Sequence, residues 1–316
     1  MISSKLFSFL GITKKDSPEL LLKKIHFKRL KIHFPIIFLK EIENEYIKTN
    51  DVRIFNELLW ICGGETQKIP ESIKKFNTHF KNGKYEHDYD PNLLNLDYKN
   101  IKINNIDFEN NSVALIGNPL FFILPYYKLL KYGIKPDIIH VKYHPNKYLK
   151  KIFSSFSIVY RVIFKKRYFQ IDIDNKSQIN KFKLTKKYDI GFHKLSFIIK
   201  ENIISSFKKG LINDHWGALP FVKGRSTLLY SKLLGVPQII TTHLIEKNID
   251  SGEIINYYPL KNKHIKFQIL SGLSSRILES LYLLSKMKFR ETDNRKGFIF
   301  YEMHPWLIKK INKSKL

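Results

Sequence analysis

The chain has 316 residues, of which 43% are hydrophobic and 14% aromatic, so it can bury a core and is not intrinsically disordered. Its 55 Lys+Arg against 28 Asp+Glu give a formal net charge of +27, which favours partners that carry phosphate. Basic residues are spread along the whole chain, so a generally basic surface and a dedicated polyanion site both stay open. The single cysteine, Cys62, excludes an internal disulfide framework and a cysteine-rich zinc site.

No apolar run approaches the roughly 20 residues that cross a bilayer, and the first ten residues do not read as a signal peptide. We therefore expect a cytoplasmic protein without a transmembrane segment. Four residues could be drawn as a metal site, but they lack the helical pair spacing of metal ligands, and we predict no metal there; they are His79, His87, Asp88 and Asp90.

The first part of the chain, residues 1–110, is predicted to be a mostly helical extension of unknown role. Short apolar segments favour helices at Pro18–His26, Phe38–Tyr46 and Ile54–Ile61. The polar stretch Asn82–Asn100 is predicted to be a connecting loop.

From residue 112 the pattern alternates between short strands and helices. Strands are predicted at Ser112–Gly117, Asp137–Val141, Tyr168–Ile173, Tyr188–Phe192 and Gly210–Asn213. Helices are predicted at Leu120–Tyr132, within Lys147–Lys166 and at Phe197–Phe207. This alternation indicates an α/β protein with a Rossmann-like, open and mainly parallel sheet.

The pattern continues beyond residue 225. Ser226 is predicted to cap a helix that runs to Leu234 and ends at Gly235. Two further strands are predicted at Gln238–Ile245 and Glu253–Tyr258. An amphipathic helix that packs on the sheet is indicated by the spacing of Ile269, Leu273, Ile277, Leu281 and Leu284. We divide the chain into the extension at 1–110, a catalytic domain at 111–262 and a short helical C-terminal segment at 263–316.

Three polar residues follow predicted strands, where an open α/β sheet places its active site. Asn213 and His215 lie two residues apart at one strand end, so the pleat directs both to the same side. Asp250 follows the next strand, 35 residues after His215. A carboxamide, an imidazole and a carboxylate together can polarise a carbonyl and transfer a proton.

These residues lie in two segments that resemble the motifs of the folate-dependent formyltransferases. The segment from Asn213 to Gly224, NDHWGALPFVKG, is similar to the Asn-x-His and Leu-Pro signature of that family, and the segment from Thr241 to Ile254, TTHLIEKNIDSGEI, is similar to its Thr-x-His strand and Asp-x-Gly turn. The chain departs from the family pattern at four positions: Asp214, Trp216, Ile239 and Asn248.

The resemblance implies transfer of a formyl group from 10-formyltetrahydrofolate to a primary amine, with no metal. Asn213 and a protonated His215 would stabilise the oxyanion, and Asp250 would favour the imidazolium and help to relay a proton. The pterin ring would bind backbone groups of two segments, with candidate residues Phe192, His193, Lys194, Leu195, Ile245, Asn248 and Ile249. At least one of Lys223 and Arg225 is expected to meet an acidic acceptor or the folate tail, and His243 is expected to support the turn.

The acceptor is predicted to be a small, phosphate-bearing amine, most simply a nucleotide-linked amino sugar. Only about 55 residues follow residue 260, few for the β-barrel that methionyl-tRNA formyltransferases carry there; the net charge nevertheless keeps an aminoacyl-tRNA acceptor open. Hydrolysis of the formyl donor and a non-catalytic binding protein are further alternatives. The N-terminal extension could supply acceptor specificity or a homodimer surface.

Overall fold

The computed structural model describes residues 4–13, 17–31, 34–81, 84–86, 108, 111–143, 157–173, 178, 183–195, 197–261, 264–292, 294 and 297–313. These residues form two compact units that are interleaved along the chain. The first unit takes its residues from 1–94, 221–238 and 297–316, and the second from 95–220 and 239–296. These units divide the chain at other positions than 110 and 262. The division into an extension, a catalytic domain and a C-terminal segment stays a prediction.

The helices and strands follow one another in chain order. Up to residue 85 they are α1 (Ser4–Leu10), α2 (Pro18–Lys31), α3 (Leu39–Thr49), α4 (Val52–Ile61), α5 (Pro70–His79), β1 (Phe80–Lys81) and β2 (Lys84–Tyr85). The next group is β3 (Val113–Gly117), α6 (Ile123–Lys131), β4 (Asp137–Tyr143), α7 (157–164), β5 (Tyr168–Ile173), β6 (Tyr188–Lys194), α8 (Glu201–Ile204) and β7 (Phe207–His215). The last group is β8 (Val222–Gly224), α9 (Thr227–Leu234), β9 (Ile239–Leu244), β10 (Ile254–Pro259), α10 (Ile265–Ser271), α11 (Leu273–Ser285), β11 (Phe298–Phe300) and α12 (Pro305–Lys313).

Within the described residues, the second unit is built on a seven-stranded sheet in the order β10-β9-β7-β6-β3-β4-β5. Neighbouring strands are parallel in the four pairs β5–β4, β4–β3, β3–β6 and β6–β7. Strand β9 is antiparallel to both of its neighbours, β7 and β10. The predicted α/β class and the open, mainly parallel sheet are therefore confirmed. The chain builds outward from β3 to β5 and then crosses back to β6, and such a reversal point is where open α/β sheets bind ligands.

Helices and loops cover both faces of this sheet, which explains why β3 is apolar throughout and buried at all five positions. One core cluster joins Leu115, Phe192 and Ile212 to α6, α7 and α11. The other joins Ile116 and Leu211 to residues of the segment around α8. The amphipathic helix expected near residues 269–284 is divided into α10 and α11, and α11 packs on the sheet as predicted.

The first unit is mostly helical in its described N-terminal part, as predicted. Aromatic rings form its centre: Phe55 stacks on Tyr46 and on Phe76, with ring centroids 5.0 and 4.7 Å apart. Trp306, from the end of the chain, meets Phe55 edge to face at 5.9 Å. Strands β8 and β11 form a parallel pair, so segments far apart in sequence complete this unit.

Two local predictions are wrong. A helix was expected over Phe197–Phe207, but only Glu201–Ile204 is α-helical, and Phe207 begins β7. The helix-like spacing arises because a loop, a single helical turn and a strand start all pack residues on the same core cluster. Ser226 makes no side-chain cap to α9; its backbone is left-handed (φ 53°), and its hydroxyl accepts a hydrogen bond from the Met303 amide at 3.1 Å.

Other expectations fall partly outside the described residues. Of the loop expected at Asn82–Asn100, residues 84–85 form β2, and residues 82–83 and 87–100 lie outside the described part. Of the segment Lys147–Lys166, residues 157–164 are helical as predicted, and residues 147–156 lie outside it.

Candidate active site

The carboxyl end of β7 carries Asn213 and His215 on one face of the sheet and Asp214 on the other. Asn213 is in register with His193 on β6 and with His243 on β9. Residues in register across neighbouring strands share a face, so His193, Asn213 and His243 form a row of polar side chains across three strands. Strand β6 borders the β3–β6 reversal point, and the row therefore lies where a ligand is expected.

A returning loop, residues 245–252, brings Asp250 to this row. Because β9 is antiparallel to β7, the carboxyl end of β9 lies away from that of β7, and the chain has to double back. A Cβ atom at Gly252 would lie 2.1 Å from the Leu244 carbonyl oxygen, so only glycine fits this turn. Asn294 closes the loop by donating from Nδ2 to the carbonyl oxygens of Asp250 at 3.0 Å and Gly252 at 2.7 Å.

Asp250 is the residue of this loop with a left-handed backbone, φ 48°. Asn248, one of the four departures from the family pattern, does not have a positive φ. Its carbonyl oxygen accepts a hydrogen bond from the Ser251 hydroxyl at 3.2 Å. Aspartate is among the non-glycine residues that adopt this region most readily.

The three predicted catalytic side chains meet at this point. His215 Nδ1 lies 3.3 Å from Asp250 Oδ2, and Asn213 Nδ2 donates to Asp250 Oδ1 at 3.4 Å. The side chains of His215 and Asp250 are 6% and 13% exposed, so the pair is largely shielded from water. The arrangement therefore places an amide donor and an imidazole on the two oxygens of one carboxylate.

His243 orients this group more directly than the sequence indicated. Its Nδ1 atom lies 2.6 Å from the Leu244 carbonyl oxygen, which can only accept, so Nδ1 carries the proton. In the neutral ring Nε2 then accepts from Asn213 Nδ2 at 3.1 Å. His243 Nε2 is also 3.6 Å from Asp250 Oδ1. The side chain thus fixes which end of the Asn213 amide faces Asp250, and its place in the Thr-x-His strand beside Asn213 was the signal for this contact.

His193 completes the row on the other side of Asn213. The side chain is buried, and its Nδ1 atom accepts a hydrogen bond from the Leu195 amide at 3.2 Å. Burial, with smaller contributions from the charges of Lys194 and His243, lowers the pKa of His193 to about 3. The imidazole is therefore neutral at physiological pH.

The lowered pKa of His193 predicts acid sensitivity of the fold. In the unfolded chain this group has its ordinary pKa of 6.5, so below that pH the unfolded state takes up a proton that the folded state does not. The stability that His193 contributes is present above pH 6.5 and is lost as the pH falls toward 3. From pH 7.5 to 5.0 the loss is about 2 kcal/mol. Urea unfolding at the two pH values should show this extra loss in the wild type relative to His193→Gln; equal pH dependence in both would contradict it.

A buried ionic cluster lies on the opposite face of the same strand ends. Asp214 accepts from Lys194 Nζ at 2.5 Å and from Arg276 Nε on α11 at 2.9 Å. Burial raises the pKa of Asp214, but the charges of Lys194 and Arg276 outweigh burial and hold the pKa well below its usual range. Trp216 donates from Nε1 to the same carboxylate at 3.3 Å. The two departures at Asp214 and Trp216 therefore belong to one cluster, which anchors the end of β7 to β6 and α11.

The structure places the predicted folate-binding residues in different environments. Phe192 is fully buried in the core, and the ammonium of Lys194 is engaged by Asp214. Leu195 and Ile245 are partly buried and pack against the core cluster on the face of the sheet that carries Asn213 and His215. Ile249 is 42% exposed. Contact between a ring and the backbone of the two segments stays a prediction.

Lys223 and Arg225, predicted to bind the acceptor or the folate tail, belong to the first compact unit. Lys223 lies in β8 and is buried. Arg225 is exposed and forms an ion pair with the exposed Glu302 at 3.2 Å. Arg225 is thus the better placed of the two for a ligand that arrives from solvent.

Among the residues that the structure describes, no three His, Cys, Asp or Glu side chains are grouped to hold a metal ion. His87, Asp88 and Asp90 lie outside those residues. In the same residues no helix combines the length and apolar character that crossing a bilayer requires.

No protein-family model matches the sequence. A search of solved structures finds a 4-N formyltransferase from Francisella tularensis, 18% identical over 60% of this chain and 75% of that one, with a TM-score of 0.42. It also finds the formyltransferase PseJ from Anoxybacillus kamchatkensis, in complex with UDP-4,6-dideoxy-4-formamido-L-AltNAc and tetrahydrofolate, at 20% identity over 60% and 85% of the two chains, with a TM-score of 0.33. Methionyl-tRNA formyltransferase from Clostridium thermocellum is 15% identical over 63% and 81%, with a TM-score of 0.35.

All three are formyltransferases. That is the family which the Asn213–Gly224 and Thr241–Ile254 motifs resemble. The three identities are 20% or lower and the three TM-scores are 0.42 or lower.

Proposed function

We propose that this chain is an enzyme that transfers a formyl group from 10-formyltetrahydrofolate to a primary amine. The proposal is carried by the convergence of Asn213 and His215 on Asp250, since a loop and two antiparallel strands bring each of the two within 3.3–3.4 Å of its carboxylate. A binding protein with no chemistry to perform has no need to bring a carboxamide, an imidazole and a carboxylate together in this way.

The side chains match the charges that develop in such a transfer. Attack of an amine on a formyl carbon puts negative charge on the formyl oxygen and positive charge on the amine nitrogen. The Asn213 amide can donate to that oxygen by giving up its long 3.4 Å contact with Asp250, and the His215 imidazolium can donate a second hydrogen bond to it. Asp250 stabilises the imidazolium at Nδ1 and attracts the positive amine. The new C–N bond forms, the C–N bond to the folate breaks, and one amine proton passes through the Asp250–His215 pair to the departing folate nitrogen.

The surroundings of the row fit a flat ring with polar edges. Leu195 and Ile245 provide apolar surface on the face of the sheet that carries Asn213 and His215. The Ile245 amide donates a 2.8 Å hydrogen bond to the Leu211 carbonyl oxygen, which ties the returning loop to β7. A buried imidazole edge at His193 faces the same side of the sheet. Backbone groups of residues 192–195 and 245–249 would bind the pterin.

We propose a nucleotide-linked amino sugar as the acceptor. The excess of 27 positive charges favours a phosphate-bearing molecule over a neutral amine. Arg225 supplies an exposed guanidinium whose present partner, Glu302, is itself 63% exposed. An ion pair between two exposed side chains is weak, so a phosphate can replace Glu302 at small cost.

The role of Arg225 leads to a kinetic prediction. Arg225→Ala should raise KM for a nucleotide-linked amine about tenfold, because a charge-assisted contact to phosphate is lost, and should leave kcat nearly unchanged. Glu302→Gln is the matched control, since it frees Arg225 and should lower KM or leave it unchanged. Steady-state kinetics at low and high salt would measure both; an equal KM for Arg225→Ala and the wild type would remove Arg225 from the acceptor site.

The reaction itself is tested with purified protein, 10-formyltetrahydrofolate and a panel of UDP- and dTDP-linked amino sugars. Tetrahydrofolate should be released, and a formamido sugar detected by mass spectrometry, only when a suitable amine is present. Release of formate without an amine would favour hydrolysis. Formylation of aminoacyl-tRNA in place of the sugars would favour the tRNA reaction, and binding without release would favour a non-catalytic protein.

A further inference from the structure

Within the part of the chain that the structure describes, His193 carries a buried hydrogen-bond donor without a partner. Its Nδ1 atom accepts from the Leu195 amide, a group that can only donate, so the ring proton is on Nε2. Among the residues that the structure describes, Nε2 is buried and makes no hydrogen bond. Buried donors are almost always satisfied, and an exception calls for a ligand or water that supplies the acceptor.

The place of His193 in the row indicates which ligand this is. Asn213 lies in the middle, with His193 on the β6 side and with His243 and Asp250 on the β9 side. A formyl carbonyl held by Asn213 and His215 must receive its amine from the Asp250 side, because the carboxylate stabilises the positive charge that the amine develops. The body of the formyl donor then extends to the other side, over the end of β6.

We propose that the Nε2–H group of His193 donates a hydrogen bond to an acceptor atom, a carbonyl oxygen or ring nitrogen, of the bound formyl donor. This inference rests on the proposed function and adds to it a side-chain contact where the resemblance implied backbone contacts alone. Burial lowers the pKa of this imidazole more than the carboxylates of Asp250 and Asp214 raise it, so the ring is neutral and suits a neutral acceptor. His193 is thus a residue that binds the formyl donor and does not contact the acceptor amine.

The first test measures affinity for folinic acid, a stable formylated folate, by titration calorimetry without any acceptor. His193→Leu removes the donor while keeping an apolar side chain of similar bulk, and should weaken binding roughly tenfold to a hundredfold. His193→Gln keeps an N–H near the position of Nε2 and should restore most of the affinity. Circular dichroism of both variants reports whether they fold.

The outcomes separate this inference from the proposed function. Equal affinity of the wild type and a folded His193→Leu variant would overturn the inference while leaving formyl transfer intact. A variant that loses affinity for the amino sugar and not for folinic acid would overturn it as well. A wild type that binds no folate at all would overturn both.

A second measurement needs no loss of the side chain. In protein labelled with nitrogen-15 at its 11 histidines, the His193 resonance, identified by its absence in His193→Gln, should show the neutral ring with the proton on Nε2. Folinic acid should shift the proton resonance of Nε2–H downfield, as a new hydrogen bond does. An Nε2 resonance that is unchanged at saturating folinic acid would overturn the inference even if His193→Leu failed to fold.

Discussion

Replacing His215 with alanine is expected to lower kcat for formyl transfer by at least roughly 10²–10³, since the change removes an oxyanion donor and the proton-transferring imidazole. Asp250→Asn is expected to lower kcat by a similar factor, because a neutral amide cannot favour the imidazolium that it faces at 3.3 Å. In both variants KM should change less than kcat, since the lost interactions are made mainly in the transition state.

An exposed histidine provides the matched control for His215. His264 lies before α10 with a left-handed backbone, φ 57°, which asparagine tolerates. His264→Asn should keep full activity. Circular dichroism and folinic acid binding would show that His215→Ala and Asp250→Asn remain folded; near-normal turnover in either folded variant would overturn the roles proposed for this pair.

Removing Asp214 is expected to destabilise the protein more than any change at an exposed ion pair. Asp214→Ala leaves the ammonium of Lys194 and the guanidinium of Arg276 buried without their shared counter-charge. Breaking a buried pair in this way typically costs about 3–5 kcal/mol, a large part of a domain stability of about 5–15 kcal/mol. Urea unfolding of the wild type and the variant would measure the difference.

Glu302→Ala provides the comparison at an exposed site. It removes the partner of Arg225 from a pair whose side chains are 71% and 63% exposed, and it should cost at most about 1 kcal/mol. If Asp214→Ala lowered the free energy of unfolding no more than Glu302→Ala does, the buried ionic cluster would not be the interaction that anchors the end of β7.

The sheet and the common face of two of the proposed catalytic residues are predictable from local pattern. Ser112–Gly117 is a continuous apolar run, which is typical of a strand covered on both faces, and β3 has that environment. The two-residue spacing of Asn213 and His215 fixes their common face, whatever strand lies beside them. The same pattern fails at Phe197–Phe207, where buried residues four apart come from a loop, one helical turn and a strand start.

The remaining features depend on contacts between distant residues, which spacing does not encode. The amphipathic pattern of α11 identifies Arg276 as a helix residue but not as the partner of Asp214, 62 positions earlier. The left-handed backbone at Asp250 depends on how the loop closes against Leu244 and Asn294. The position of the His193 ring proton on Nε2 likewise follows from a contact with the Leu195 amide, and not from residue type.

The two hydrogen bonds from Asn294 have a consequence for biogenesis. They tie the loop of the proposed acid to a residue 44 positions further along the polypeptide. On the ribosome, the strands β3 to β7 emerge and can assemble well before Asn294 leaves the exit tunnel. A nascent chain can therefore assemble these strands before it can form the two hydrogen bonds that hold the loop of the proposed acid.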